Sequence, residues 1–168
     1  LASKKNYALN LNEEYLILKK HYNENRRRNI KKAISLGYTV QISTDIEAAI
    51  KMYTQNQAPK QKGLKKEVYE VLRRIFAACT KQNVTQLLTC SNSENEVVSY
   101  ALFVKWHKRI YYLFGTMNEA GRQCSAISLL FDHVIQNNAT KSLTLDFEGG
   151  SLDGIGNYFA SFGAELEE

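Results

Sequence analysis

The sequence predicts an α+β fold (an α/β sandwich): a mixed, mainly antiparallel sheet with helices on both faces. Three observations predict it. Three strand-like runs follow one another from Val84 to Met117, separated only by short polar turns, as in an antiparallel meander. Ahead of them, one strand-like run and two helical ones precede the meander. After them the chain reads helix, strand, glycine turn, helix.

Taken in order, Asn6 to Leu11 reads as a short strand or extended arm. Asn12 is a candidate N-cap for a helix running to about Leu36, stopped by Gly37. Its apolar stripe is narrow: Tyr15, Leu18, Tyr22, Ile30 and Ala33. Tyr38 to Ile42 alternates as a strand. Thr44-Asp-Ile-Glu47 is a capping-box pattern opening a helix to about Gln57. Residues 57–63 are a polar, basic linker. A helix from Leu64 to about Lys81 carries Leu64, Val68, Val71, Leu72, Ile75, Phe76 and Cys79 at helical spacing, a stripe expected in the core. The meander strands are Val84–Cys90, Val97–Trp106 and Ile110–Met117, the last closed by a polar loop at 118–125. A helix follows over 125–138, then an alternating strand over 142–147, then Glu148-Gly-Gly-Ser151 and a short helix over 153–162 ending at Gly163. Two regions result: 1–37, an arm and basic helix packed on or linking to the rest, and 38–168, a single domain.

Composition bounds the function. Hydrophobic residues make up 44% of the 168, which marks a globular chain rather than a disordered one. No apolar run approaches the ~18 residues of a membrane helix, and no basic-apolar-small leader opens the chain. Leu1 in place of an initiator Met fits a trimmed chain or one domain of a larger one. Cys79, Cys90 and Cys124 show no paired spacing and read as reduced thiols, which points to the cytoplasm. The three histidines show no metal-ligand spacing, so no metal is expected. Residues 1–90 carry 17 Lys and Arg against 7 Asp and Glu, whereas residues 91–168 carry 5 against 10. The first half therefore attracts polyanions and the second does not. Arg26, Arg27, Arg28, Lys31 and Lys32 form the densest basic stretch, either a solvated helix face or a contact for phosphates.

Two junctions near the C-terminus carry the candidate chemistry. The loop at 118–125 enters a helix, where unpaired N–H groups suit an anionic phosphate and Arg122 can reinforce it; it also reads as a plain connection. Asp146 and Glu148, two apart, end the last strand, where α/β proteins place ligands; they also read as solvated or capping groups beside the turn.

Phe147-Glu-Gly-Gly-Ser151 followed by Asn157-Tyr-Phe-Ala-Ser-Phe-Gly-Ala164 resembles the end of the FemAB-like acyltransferases, where Asp-Phe-Gly-Gly-Ser is followed by a helix closing on Phe-Gly-Ala. Asn25-Arg-Arg-Arg-Asn-Ile-Lys-Lys-Ala33 resembles the segment ahead of that domain. The family shares the GNAT (N-acetyltransferase) fold. The resemblance implies transfer of an acyl or aminoacyl group to an amine, from acyl-CoA (acetyl-CoA among them) or from aminoacyl-tRNA, with tRNA then a partner. It places the donor at Phe114, Gly115 and Thr116 and in the loop at Asn118, Gly121, Arg122, Gln123 and Ser125. Backbone donors for the oxyanion lie around Phe114–Thr116, where Gly115 permits local irregularity. Asp146 and Glu148 are the base candidates and Tyr158 the candidate acid. Two departures stand out. Of the family's Gln/Arg-x-x-Gly-x-Gly/Ala loop only Gly121 is present, and the position four before Gly163 is Phe159, its neighbour Tyr158 pointing about 100° away on a helix. Two other functions fit the same sequence: a non-catalytic basic RNA-binding module, and a structural lobe of a larger acyltransferase.

Overall fold

The computed structural model describes residues 5–57, 66–151 and 154–167. Along them the chain forms β1 (Asn6–Asn10), α1 (Tyr15–Lys20), α2 (Glu24–Ser35), β2 (Thr39–Ser43), α3 (Ile46–Asn56), α4 (Lys66–Lys81), β3 (Thr85–Ser91), β4 (Val97–Trp106) and β5 (Arg109–Met117). It continues with α5 (Glu119–Gln123), α6 (Ala126–Asn138), β6 (Thr144–Gly150), α7 (Ile155–Ala160) and β7 (Glu165–Glu167). The strands form one sheet in the order β2-β3-β4-β5-β6-β1-β7. β5 and β6 run parallel and the other pairs antiparallel, so the sheet is mixed and mainly antiparallel.

Apolar residues close both faces. On one, Leu18, Tyr22, Ile30 and Ala33 from α1 and α2, the apolar face of α6, and Phe159 of α7 pack with Leu88, Phe103, Leu145 and Phe147 from the sheet. On the other, Ile46, Ala49 and Ile50 of α3 pack on Leu87, Tyr100 and Leu102.

Several elements differ from expectation for identifiable reasons. The leading helix is two helices, because the Asn23 side chain accepts the Arg26 N–H (2.8 Å) and so caps a new start. The cap of α3 is Asp45, not Thr44: its carboxylate accepts the Ala48 N–H at 2.9 Å. Of the two readings of residues 6–10 the strand holds: β1 lies between β6 and β7, with Leu9 buried in the core. A short strand, β7, follows the last helix and pairs with β1. The stripe of α4 is not core. Leu72 and Phe76 are half-buried over α3 and β3, while Val68, Val71 and Ile75 remain 48%, 53% and 39% exposed. Most of the 57–63 linker, together with Leu64 and Asp153, lies outside the described residues.

One polar clasp ties four strands. Arg109 of β5 pairs with Asp146 of β6 (2.5 Å) and Glu167 of β7 (2.5 Å), and Asn6 of β1 donates to Asp146 (3.0 Å). Asp146 is buried and Arg109 about a third exposed. Arg109→Met is expected to cost about 2–3 kcal/mol in urea unfolding, discounted for that exposure from the ~3–5 kcal/mol of a fully buried pair. The Arg109 hydrogen bond holds the Glu167 carboxyl below the usual range. The contribution of Glu167 is therefore complete at neutral pH and is lost as pH falls through that lowered value. An acid-unfolding curve in the Met variant that keeps the wild-type step contradicts the assignment.

Candidate functional site

β5 and β6 run side by side for three residues only, with Arg109 against Thr144, Ile110 against Leu145 and Tyr111 against Asp146. β5 then follows β4 to Met117, while β6 follows β1 to Gly150. A gap opens between them in mid-sheet. Leu113 marks the parting: Phe103 faces Tyr112 and Leu102 faces Phe114, so Leu113 is the extra residue of a bulge. From Tyr112 onward the gap-facing edge of β5 has no strand partner among the described residues; the Met117 carbonyl at its end accepts from the Gln57 side-chain amide at 2.8 Å, and Tyr112 to Gly115 border the larger cavity. Gly115 lies on that edge because a Cβ there would overlap the Tyr112 hydroxyl.

Two cavities meet at the gap. One, of about 630 Å³, draws on both faces of the sheet: Tyr53 of α3, Phe114 and Gly115 of β5, and Phe147, Glu148 and Ser151. The other, of about 390 Å³, lies at the N-terminus of α6 between Met117, Arg122, Ser125, Ser128 and Tyr158. Tyr112, Ile155 and Phe159 line both.

The α6 end of the second cavity is built from parts that differ from those expected. The run after β5 is a short helix, α5, rather than a loop. Asn118 serves as its cap, accepting the Gly121 N–H at 2.9 Å. Gly121 is buried, and a Cβ there would overlap the Val98 carbonyl, so this glycine lets α5 pack on β4. Ser125 takes a left-handed conformation (φ 58°) and places no side-chain cap on α6, whose Ser128 N–H turns back to the Ser125 carbonyl at 2.9 Å. Arg122 sits at the rim and pairs with Glu119 at 3.1 Å. Gln123 reaches back to Glu119 instead of the cavity. Thr116 is buried on the α3 side, where its hydroxyl meets Gln57 (2.6 Å).

The two carboxylates lie in different settings. Asp146 is committed to the clasp and also accepts the Glu148 N–H at 2.9 Å. Glu148 faces the larger cavity, with φ of 53°. Burial, then the nearby Asp146 charge, holds its carboxyl above the ordinary carboxylate range. The positive φ of Glu148 interrupts the strand alternation that would otherwise set it beside Asp146.

Tyr158 lines the second cavity, whereas Phe159 stacks on Phe147 at 4.6 Å in the core. The phenol of Tyr158 is 3.0 Å from the Ser128 hydroxyl. Arg26 is the main departure from the expected basic face: it is only 5% exposed, and its guanidinium lies 4.3 Å from the Tyr158 ring. Position 26 continues the stripe Tyr22, Ile30, Ala33, which was the available sign that it points inward. Arg27, Arg28, Lys31 and Lys32 are exposed, and among the described residues none is ion-paired. Tyr112, one of the meander tyrosines whose aromatic character fits either a cleft or the core, lines both cavities, whereas Ser128 carried no sequence signal beyond its element. The two buried thiols are poor nucleophiles: burial pushes Cys90 up to about 12 and raises Cys124 as well. Among the described residues no three His, Cys, Asp or Glu side chains are grouped to hold a metal, and no helix is long and apolar enough to cross a membrane.

Residues 20–158 match the family model described as the acetyltransferase (GNAT) domain, and the chain belongs to that family. Among solved structures, it is similar to FemX (TM-score 0.81, 13% identity), covering 98% of this chain and 59% of that one. It is similar to L-PGS from Bacillus licheniformis (TM-score 0.63, 10% identity, 97% and 57%). It is also similar to the C-terminal domain of a putative lysylphosphatidylglycerol synthetase from Agrobacterium fabrum (TM-score 0.58, 11% identity, 95% and 59%). The chain thus spans under two thirds of each, and at these identities the likeness is one of fold. No curated protein matches the chain by sequence.

A left-handed glutamate carries backbone strain that a glycine does not. Glu148→Gly is expected to raise stability by about 0.5–1 kcal/mol in urea unfolding. A loss of stability instead means that the Glu148 side chain supports the fold.

Proposed function

We propose that the chain is an N-acyltransferase of the FemAB-like GNAT type, passing an acyl or aminoacyl group through the gap between β5 and β6 to an amine. The observation that carries this reading is the meeting of two cavities at a stretch of unpaired strand edge. The α6 N-terminus and Arg122 suit the phosphates of a donor, whether acyl-CoA or aminoacyl-tRNA. The open edge around Phe114 supplies N–H groups for the oxyanion. Glu148, facing the larger cavity, takes the proton from the attacking amine directly or through water, while Asp146 holds the turn that presents it. Tyr158 protonates the leaving group. The exposed Arg27, Arg28, Lys31 and Lys32 on α2 favour a tRNA donor as the second form of the reading, because they add an unpaired basic face to a site otherwise fit for either carrier.

Calorimetric titration with acetyl-CoA and CoA separates the donors. Micromolar binding weakened by Arg122→Ala supports a CoA donor at the α6 end. A chain that ignores CoA but binds labelled aminoacyl-tRNA, with affinity falling steeply as salt rises, supports the tRNA form. Binding of neither removes the donor site. Glu148→Gln is expected to lower kcat by about 100-fold or more. A base works deprotonated, so wild-type activity climbs with pH through the Glu148 value, which sits above the usual carboxylate range. That acid limb disappears in the Gln variant; if it persists, Glu148 is not the base.

A further inference from the structure

We propose that Arg26, acting through Ser128, orients the proton of Tyr158 toward the cavity, so that the phenol is set to protonate the leaving group; this rests on the acyl-transfer reading above. The argument is one of hydrogen-bond direction. A guanidinium only donates. Arg26 donates from Nη1 to Ser128 Oγ and from Nε to Ser161 Oγ at 3.0 Å. Ser161 hands its own proton to the Tyr158 carbonyl at 2.5 Å, which fixes the backbone beneath the phenol. Among the described residues Ser128 Oγ has one further neighbour within hydrogen-bond reach, the Tyr158 hydroxyl at 3.0 Å, and either oxygen of that pair can be the donor. A serine oxygen accepts twice and donates once; with Arg26 donating to it, the Ser128 proton is assigned to the Tyr158 oxygen, the acceptor that this geometry offers it. The proton of Tyr158 itself is left unclaimed, on a side chain that lines the α6 cavity. The chain of donors runs one way, from Arg26 to Ser128 to Tyr158 to the cavity.

The charge of Arg26 supports the same role. Its guanidinium lies over the Tyr158 and Phe162 rings, 4.3 and 4.8 Å from their centres. No carboxylate pairs with it among the described residues, and the buried Asp132, one turn beyond Ser128 on α6, accepts from the hydroxyls of Tyr15 (2.9 Å) and Tyr22 (3.0 Å). An unpaired buried cation is costly in a fold. Here it faces the one phenol in which negative charge would develop. Burial raises the Tyr158 hydroxyl above its ordinary value, and the Arg26 charge and the Ser128 hydrogen bond pull against that.

In the step itself the amine nitrogen forms a bond to the acyl carbon. The bond from that carbon to the carrier sulfur (CoA) or oxygen (tRNA) breaks with its electron pair going to the carrier atom. Glu148 takes the amine proton, Tyr158 gives its proton to the carrier atom, and both residues re-equilibrate with solvent. Arg26 and Ser128 are positioning residues; neither touches substrate.

The test compares a donor that needs a proton on its leaving group with one that does not. Acetyl-CoA, or aminoacyl-tRNA if that is the donor bound, is set against p-nitrophenyl acetate, whose phenolate leaves unaided. Ser128→Ala is expected to slow transfer from the first by about 100-fold and from the second by less than about 3-fold. The alkaline limb of the Ser128→Ala pH profile moves upward, since its phenol loses a donor that favours ionisation, and Tyr158→Phe abolishes that limb. The Ser128→Ala/Tyr158→Phe double variant is expected to be no slower than Tyr158→Phe alone. Arg26→Lys keeps a cation but loses the fork, and falls between wild type and Ser128→Ala. If Arg26→Lys fails to fold, Ser128→Ala decides. Equal losses on both donors, or a Ser128→Ala enzyme within about twofold of wild type on the first, overturn the relay while leaving the acyltransferase reading intact. A wild-type chain that transfers from neither natural donor overturns both.

Discussion

The molecule is organised around a sheet that comes apart in its middle. Two central strands hold together for three residues and then separate, and nearly every unusual local feature lies along that seam. The clasp of Arg109 and Asp146 stands where pairing ends. The Leu113 bulge turns β5 away from β6, and the left-handed Glu148 bends the other lip. Asn6 crosses from β1 to accept the Gly149 N–H at 3.0 Å, which ties that bend to the neighbouring strand instead of to β5. Backbone groups seldom go unpaired inside a sheet, because each one left so costs about as much as a lost hydrogen bond. A seam held open by a bulge, a clasp and a strained turn is therefore a built opening.

Aromatic packing keeps the opening rigid. Phe131 of α6 makes ring contacts with Phe103, Tyr112, Phe147, Tyr158, Phe159 and Phe162, spanning β4, both lips of the seam and α7. Edge-on and tilted rings of this kind fix one another's angle as well as their distance. The phenols that meet the cavities are thus carried by a wall whose members cannot turn independently.

The sequence showed the layout of this fold more readily than its site. Long periodic segments such as β4 and α6 were visible because burial of one face dictates spacing. Boundaries that depend on one side chain were not. The Asn23 and Asp45 caps shifted helix starts, because several polar residues nearby could have served. β7 was missed because three residues with two carboxylates carry no strand pattern. The apolar stripe of α4 is periodic yet partly exposed, since periodicity reports a face and not what covers it. At the site, the loop with Arg122 and the carboxylate Glu148 stood out because each sits at a junction of elements, whereas Ser128 looked like any other helix residue. Arg26 was read with its basic neighbours because charge in a run is counted before direction. Its inward position was legible in the spacing all the same, since 26 falls in line with 22, 30 and 33.

The seam also has a consequence for traffic. An opening that passes through a sheet, with one chamber at the end of α6 and the other reaching the α3 side, has two doors. Reactants of the proposed reaction arriving by different doors need not displace one another, and neither has to leave before the other enters. Such a passage favours direct hand-over between two partners held at once, and leaves each spent partner to depart by the door through which it came.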